Sequence, residues 1–188
     1  MRSRLCLNCF VCLKLKGCIV TLDAMGCQKD IATEIRRQQA DYVLSLKRNH
    51  GHLFEEVEHF FQSVIEDHTF GYKISRHETV DGEHGRIEVR KYWSVDVPVH
   101  LSSKDEWCDL RSLAMVEATR EVKGETSKQV RYYLSSLEVD AERLSEAVRG
   151  HWGIENSCHW ILDVAFREDD CRVRTATRGR RTSRLCGE

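Results

Sequence analysis

The stretch Gly17-Cys-Ile-Val-Thr-Leu-Asp23-Ala-Met-Gly26 decides the fold of this chain. Its apolar and β-branched residues predict a short buried strand, because such side chains fit the pleated surface of a sheet. Asp23 ends that strand, and the Ala-Met-Gly run after it predicts a turn. The sequence therefore predicts a carboxylate at the carboxyl end of a buried strand.

The segments that follow predict a parallel α/β unit. Residues 28–39 carry Ile31 and Ile35 four positions apart among charged residues, which indicates an amphipathic helix. Residues 42–46 predict a second strand, and the order strand, helix, strand at this spacing favours parallel pairing. Ligands usually bind at the open end of such a sheet, which is the end where Asp23 stands.

The pattern changes further along the chain. Apolar residues at helical spacing in 52–66 are typical of core packing. Short alternating runs from about residue 70 to 137 predict a β-rich insertion of mostly antiparallel strands, with a hairpin turn at 122–126. Asp140 is a candidate N-cap, and the apolar spacing after it predicts a long final helix reaching Val164.

The composition excludes several classes of protein. An apolar content of 41% is enough for a packed core, which excludes disordered and fibrous chains. Lys plus Arg total 29 against 30 for Asp plus Glu, so contact with nucleic acid must come from local patches. The first 20 residues are too charged for a membrane span and lack a signal-peptide cleavage site, so the nine cysteines indicate a reduced, cytoplasmic protein.

One face of the last predicted helix carries four polar residues at intervals of four: His151, Glu155, His159 and Asp163. Three interpretations of this face stay open from spacing alone. The first is a zinc site, although the His-Glu-x-x-His order of metalloproteases is absent. The second is an ordinary solvated helix face. In the third, Glu155 meets Asp23 across the fold and the two carboxylates bind magnesium.

Four sequence blocks resemble a known family. They are Val20-Thr-Leu-Asp23-Ala-Met-Gly-Cys-Gln28, His84-Gly-Arg-Ile-Glu88, Arg149-Gly-His-Trp-Gly-Ile-Glu155-Asn and His159-Trp-Ile-Leu-Asp-Val-Ala-Phe-Arg-Glu-Asp169. In this order they are similar to the signature blocks of bacterial insertion-sequence transposases of the ISAs type, which include the H-repeat-associated proteins. The resemblance covers about residues 15–175 and implies a DDE transposase with an RNase H-like core.

The resemblance implies a catalytic site. In that family two aspartates and one glutamate bind Mg²⁺ or Mn²⁺ for DNA cleavage and strand transfer. The matching blocks put the second aspartate at Asp23 and the glutamate at Glu155, as both catalytic and metal-binding residues. The block with the first aspartate has no match here, and two of three ligands should hold metal weakly. We therefore expect this chain alone to be a catalytically incomplete fragment.

Basic residues in or beside the blocks are candidate contacts to DNA phosphates. Arg149 and His151 precede the glutamate, and three more cations lie in or near the other blocks: Lys47, Arg86 and Arg90. Their proposed role is phosphate contact by charge pairing. For each of them, a solvated surface charge is an equal alternative.

Both ends depart from the family pattern. Residues 1–13 and 182–188 can each be written in codons whose shifted reading frame encodes a family-like peptide. Our hypothesis is that residues 1–14 are an out-of-frame or divergent leader and that 176–188 are an out-of-frame basic tail. The segment 15–175 is then a partial DDE transposase catalytic domain.

The sequence thus predicts an α/β, RNase H-like transposase core, incomplete at its N-terminus and carrying a β-rich insertion. The expected partner is DNA, at transposon ends and target, with a homo-oligomer or an intact transposase as a further partner and no membrane. The alternatives are an inactive remnant that binds DNA or an intact transposase, and a metal hydrolase built on the face from His151 to Asp163.

Overall fold

A computed structural model describes residues 14–66, 71–83, 86–122 and 124–154. The chain divides into two compact units, residues 1–152 and 153–188, and the fold below is that of the first. Its helices are α1 (Lys29–Arg37), α2 (Gly51–Glu66) and α3 (Ala141–Ile154), with one-turn 3-10 helices at Arg48–His50 and Lys104–Glu106. Its strands are β1 (Ile19–Leu22), β2 (Asp41–Leu46), β3 (Ile74–Glu83), β4 (Arg86–Asp96), β5 (Ser112–Val122) and β6 (Glu125–Ser135). The leader, except Lys14, and the basic tail lie outside the described residues.

The six strands form one mixed sheet in the order β1-β2-β6-β5-β4-β3. β1 and β2 are parallel and joined by α1, which confirms the predicted α/β unit. All other neighbours are antiparallel, and β6 pairs with β2. The β-rich segment is therefore confirmed, and it continues the same sheet as the parallel unit.

Helices cover both faces of the sheet. On one face, α1 and α2 bury Ile31, Ile35 and Phe61 against β2, β5 and β6, as the helical spacing of their apolar residues predicts. On the opposite face, α3 buries Leu144 and Val148 among residues of β2, β4, β5 and β6. Burying such apolar side chains contributes about 1.5–3 kcal/mol each, so the sheet is stabilised from two sides.

The prediction that the first strand is buried was wrong. All four residues of β1 are only half-buried, because among the described residues β1 pairs with β2 alone and stands at the edge of the sheet. An edge strand is shielded from solvent by a neighbouring strand on one side only, whereas a central strand such as β5 has neighbours on both sides.

Two local predictions are confirmed. Asp140 caps α3, since its Oδ1 accepts hydrogen bonds from the backbone N–H groups of Glu142 at 3.0 Å and Arg143 at 3.1 Å. The hairpin joins β5 to β6 through Gly124, whose φ of 84° favours glycine. The predicted continuation of the helix to Val164 lies outside the described residues. Within the described ranges, no helix is long and apolar enough to cross a membrane.

Candidate functional site

Asp23 stands at the carboxyl end of β1 in a tight turn. Its Oδ1 accepts hydrogen bonds from the N–H groups of Met25 at 3.2 Å and Gly26 at 3.3 Å. The backbone N–H of Gly26 also donates to the Asp23 carbonyl at 3.0 Å. The side chain is exposed, so the turn holds Oδ1 while the carboxylate stays open to solvent.

Gly26 allows this turn to form. A Cβ at this position would lie 2.9 Å from the Cβ of Leu22, which is closer than two carbon atoms tolerate. Glycine therefore lets the turn fold back onto β1. The glycine of the Leu-Asp-Ala-Met-Gly motif is therefore required for steric reasons.

The short 3-10 helix after β2 supports the same turn. Asn49 donates a hydrogen bond from Nδ2 to the carbonyl of Ala24 at 2.9 Å. His50 contacts the carbonyl of Cys27 through Nε2 at 2.7 Å, and its ring packs edge-on against Trp107. Sequence reasoning missed Asn49 and His50, because their partners lie on another element and no local periodicity marks them.

Lys47 lies at the same end of the sheet. It follows β2 directly and is exposed. Because β1 and β2 are parallel, their carboxyl ends meet at one edge of the sheet, so Asp23 and Lys47 both follow strands that end there. Lys47 is therefore placed where it could contact a polyanion. In the structure it is an exposed cation at the surface.

The last described turn of α3 contacts both edge strands of the sheet. His151 Nδ1 lies 3.2 Å from the Oγ1 of Thr21 on β1. Arg149, two residues earlier, reaches Asp81 on β3 with nitrogen to oxygen distances of 2.9 and 3.4 Å. These two contacts fix the helix terminus against strands at opposite ends of the strand order.

A third contact, from β6, holds the last described turn of α3. The guanidinium of Arg131 lies over the indole ring of Trp152, 4.0 Å from the ring centroid, which is within the range of a cation–π interaction. The neighbouring Tyr133 is buried, and burial raises the pKa of its hydroxyl despite contacts with Arg131 and Trp152 that act in the opposite direction. The terminus of α3 is therefore anchored by charge, by hydrogen bonding and by packing.

Arg90 and Arg149 share one carboxylate. Arg90 on β4 contacts Asp81 at 3.3 Å and Glu88 at 2.6 Å, while Arg149 approaches the same Asp81 from α3. The hydrogen bond that Arg149 donates to Asp81 raises the pKa of Arg149 above its usual range. The side chain of Arg86, at the start of β4, lies outside the described residues.

The predicted metal-binding set can be compared with the structure only in part. Asp23 is described, but Glu155, His159 and Asp163 lie outside the described residues. In the parts that are described, no group of three or more His, Cys, Asp or Glu side chains is arranged to hold a metal ion. The Asp23 carboxylate fits a divalent cation as a single ligand, since it is an exposed hard oxygen donor at a sheet terminus.

Comparison with known proteins identifies the family. Residues 7–181 match the family described as "Transposase DDE domain". The chain belongs to this transposase family. Its mixed α/β sheet with helices on both faces agrees with the RNase H-like core that the sequence blocks predict, and the predicted resemblance to H-repeat-associated transposases is confirmed.

Several relatives of this transposase-family chain come from Escherichia coli. It is 40% identical over 169 residues both to "Putative protein YbfL" and to "H repeat-associated putative transposase YhhI" of strain K12, covering 86% of this chain and 43% of each relative. It is 40% identical over 167 residues to "Putative transposase YncI" of strain O157:H7, covering 86% of this chain and 42% of that relative. The chain thus spans less than half the length of these curated relatives. No solved structure matches it.

Proposed function

We propose that this chain is the metal-binding and DNA-binding part of a DDE-type DNA transposase, with Asp23 and Glu155 as ligands of Mg²⁺ or Mn²⁺. The observation that carries the proposal is the turn at Asp23. It combines a family motif with an exposed carboxylate, one oxygen of which is fixed by two backbone N–H groups. A rigid carboxylate at the carboxyl end of a parallel strand is suited to hold a hard cation.

The contact between Thr21 and His151 supports the pairing of Asp23 with Glu155. His151 lies on α3 and touches β1 two residues before Asp23. Glu155 follows His151 by four residues, and residues four apart share a helix face. A helix that continues through Glu155 would carry this carboxylate on the same side as His151.

The protein residues have separable roles in the proposed reaction. Asp23 and Glu155 would hold the cation, which when bound supplies positive charge for the attacking and leaving oxygens of phosphoryl transfer. Lys47, Arg86, Arg90, Arg149 and His151 would bind and orient DNA phosphates, which sets register without reading sequence. The proposal includes a cytoplasmic location, where bacterial DNA is accessible.

We also propose that the 188-residue chain, acting alone, does not transfer strands. The family resemblance implies three carboxylates, and only two have matches in this sequence. Two ligands leave a divalent cation weakly held and its bridging oxygens poorly placed. Strand transfer would then require a partner that carries the third carboxylate, such as an intact transposase.

Manganese binding tests the carboxylate assignment. In electron paramagnetic resonance titrations of the full chain, we expect Asp23→Asn and Glu155→Gln each to weaken Mn²⁺ binding at least about tenfold, because each removes a charged ligand. Asp30→Asn is the matched control, since Asp30 is an exposed carboxylate in the first turn of α1 and should leave binding unchanged. Equal affinity in all four proteins would contradict the assignment.

A plasmid assay tests catalytic incompleteness. The chain is incubated with supercoiled DNA and Mg²⁺ or Mn²⁺, and we expect neither nicking nor joined products above the level of the Asp23→Asn variant. Joined products that disappear in that variant would show an active enzyme and overturn this part of the proposal. Zinc found by elemental analysis, retained through chelation and lost in a His151→Ala variant, would favour the metal hydrolase instead.

A further inference from the structure

Asp81 lies at the centre of a cation pair that the proposed function assigns to DNA. It accepts contacts from Arg90 on the neighbouring strand and from Arg149 on α3. Its partner in the β3–β4 register is Glu88, which contacts Arg90. The charges of these two arginines and two carboxylates cancel, so the four side chains together offer no net attraction to a phosphate.

The two arginines resemble an anion-binding site that is already occupied, with the Asp81 carboxylate as the bound anion. Two guanidinium groups converge on one carboxylate, as they would on a phosphate oxygen pair. The neighbouring hydroxyl of Thr79 lies on the same sheet face as Asp81 and opposite Arg90 in the register. It is buried and has no hydrogen-bond partner among the described residues, so one hydroxyl opposite Arg90 is left unpaired.

Resting on the proposed function, we propose that Arg90 and Arg149 form a binding site for one backbone phosphate of duplex DNA and that Asp81 occupies this site in the free protein. Asp81 therefore acts as an internal competitor of DNA. Its removal frees the Arg149 guanidinium and the Nη1 of Arg90 for phosphate, while Nη2 of Arg90 keeps its contact with Glu88.

Solvent exposure makes the exchange feasible. The Asp81 side chain is 43% exposed, and those of Arg90 and Arg149 are 25% and 44% exposed. Ion pairs at such positions contribute little to stability, because water screens them. A DNA phosphate that approaches with release of its counterions can replace a carboxylate held this weakly.

The test compares DNA binding by the full chain and its variants. Fluorescence anisotropy is measured with a labelled duplex of arbitrary sequence, in EDTA, at several salt concentrations. Loss of two exposed ion pairs predicts that Asp81→Asn binds roughly tenfold tighter than wild type at low salt. The salt dependence of log K should steepen by about 0.9 for each additional phosphate neutralised.

A matched control separates the local effect from net charge. Glu138→Gln makes the same change in charge and also frees an arginine, because Glu138 pairs with the exposed Arg111 at 2.7 Å. That pair lies by the Ser112–Ser135 end of β5 and β6, away from the hairpin end near Asp81. At about 0.1 M salt we expect Glu138→Gln to bind DNA as wild type does, within about twofold, because the Debye length is then about 10 Å and the distant charge is screened.

The role of each arginine is tested in the Asp81→Asn variant. In the double variants Asp81→Asn with Arg149→Ala, and Asp81→Asn with Arg90→Ala, the gain in affinity should disappear. Asp81→Ser serves as a second way to remove the carboxylate if Asp81→Asn alters folding, which thermal melting would reveal.

The outcomes separate this inference from the proposed function. If no variant binds DNA at low salt, the proposal of DNA binding fails, and with it the role of Asp81. If wild type binds and Asp81→Asn binds equally or more weakly, DNA binding stands and Asp81 is only a structural anchor for α3. If Asp81→Asn gains no more DNA affinity than Glu138→Gln does, the proposal that Asp81 competes with DNA is likewise wrong.

Discussion

Thr21 and His151 are 130 positions apart in sequence, and their side chains meet at 3.2 Å. The contact joins the edge strand β1 to the last described turn of α3. Both residues lie beside positions that the family blocks assign to catalysis, since Asp23 follows Thr21 by two residues and Glu155 follows His151 by four. The contact therefore holds the end of β1, next to Asp23, against the last described turn of α3.

Replacing Thr21 by Val should weaken this junction. The substitution keeps the shape of the side chain and removes the hydroxyl, so we expect a loss of about 1 kcal/mol in the free energy of unfolding. Urea denaturation measures the loss. Thr126→Val, at an exposed position on β6, is the control and should change stability by less than about 0.5 kcal/mol.

A double-mutant cycle distinguishes a direct contact from an indirect effect. If Thr21 and His151 interact, Thr21→Val combined with His151→Ala should cost less than the sum of the two single changes. Strict additivity would contradict the contact seen in the structure.

Replacing Gly26 by Ala should distort the turn that holds Asp23. The added Cβ would lie 2.9 Å from the Cβ of Leu22, and because that atom is next to the backbone it cannot move aside easily. We expect a loss of about 1–3 kcal/mol in the free energy of unfolding, as for other overpacked sites. The affinity for Mn²⁺ should fall as well, because the turn positions the carboxylate.

Gly150 provides the control for that substitution. It lies within α3, and a Cβ there would meet nothing within 4 Å. Gly150→Ala should therefore stabilise the chain by about 0.5–1 kcal/mol through helix propensity. A loss of stability at Gly150 comparable to that at Gly26 would mean that the steric argument is wrong.

Local sequence patterns predicted much of the fold. The parallel unit of β1, α1 and β2, the antiparallel β-rich segment and the Asp140 cap are each encoded within a few residues, through hydrophobic period or hydrogen-bonding chemistry. β3 was not predicted as a separate strand, because its run contains polar residues such as Thr79 and Asp81 and stands at the sheet edge. Amphipathic patterning is weakest where neither face is fully buried.

The site was predicted less completely for a different reason. Family blocks pointed to Asp23 and to the basic residues, but the contacts that position them join distant parts of the chain. Asp81 meets Arg149 across 68 residues and Thr21 meets His151 across 130. Such pairings depend on strand order and helix placement, which no local period encodes.

Cys27 should be chemically inert in the folded chain. Burial raises the pKa of its thiol to about 12, so roughly one thiol in ten thousand is ionised at pH 8, and the thiolate is the reactive form. Native alkylation with iodoacetamide, mapped by mass spectrometry, should label the exposed Cys18 and spare Cys27. In urea both should be labelled, and rapid labelling of Cys27 without urea would contradict the packing around α1.

Replacing Ser136 by Ala should open the junction between β2 and the end of β6. The Ser136 hydroxyl is buried, accepts a hydrogen bond from the Tyr42 N–H at 2.9 Å and donates one to Asp41 Oδ1 at 2.9 Å. Without it the Tyr42 N–H is left buried and unpaired, which costs about 1–3 kcal/mol. Urea denaturation should show this loss, and hydrogen exchange at Tyr42 should accelerate. Ser127→Ala, on the exposed hairpin, is the control, and a similar loss there would show that the effect does not come from the buried hydroxyl.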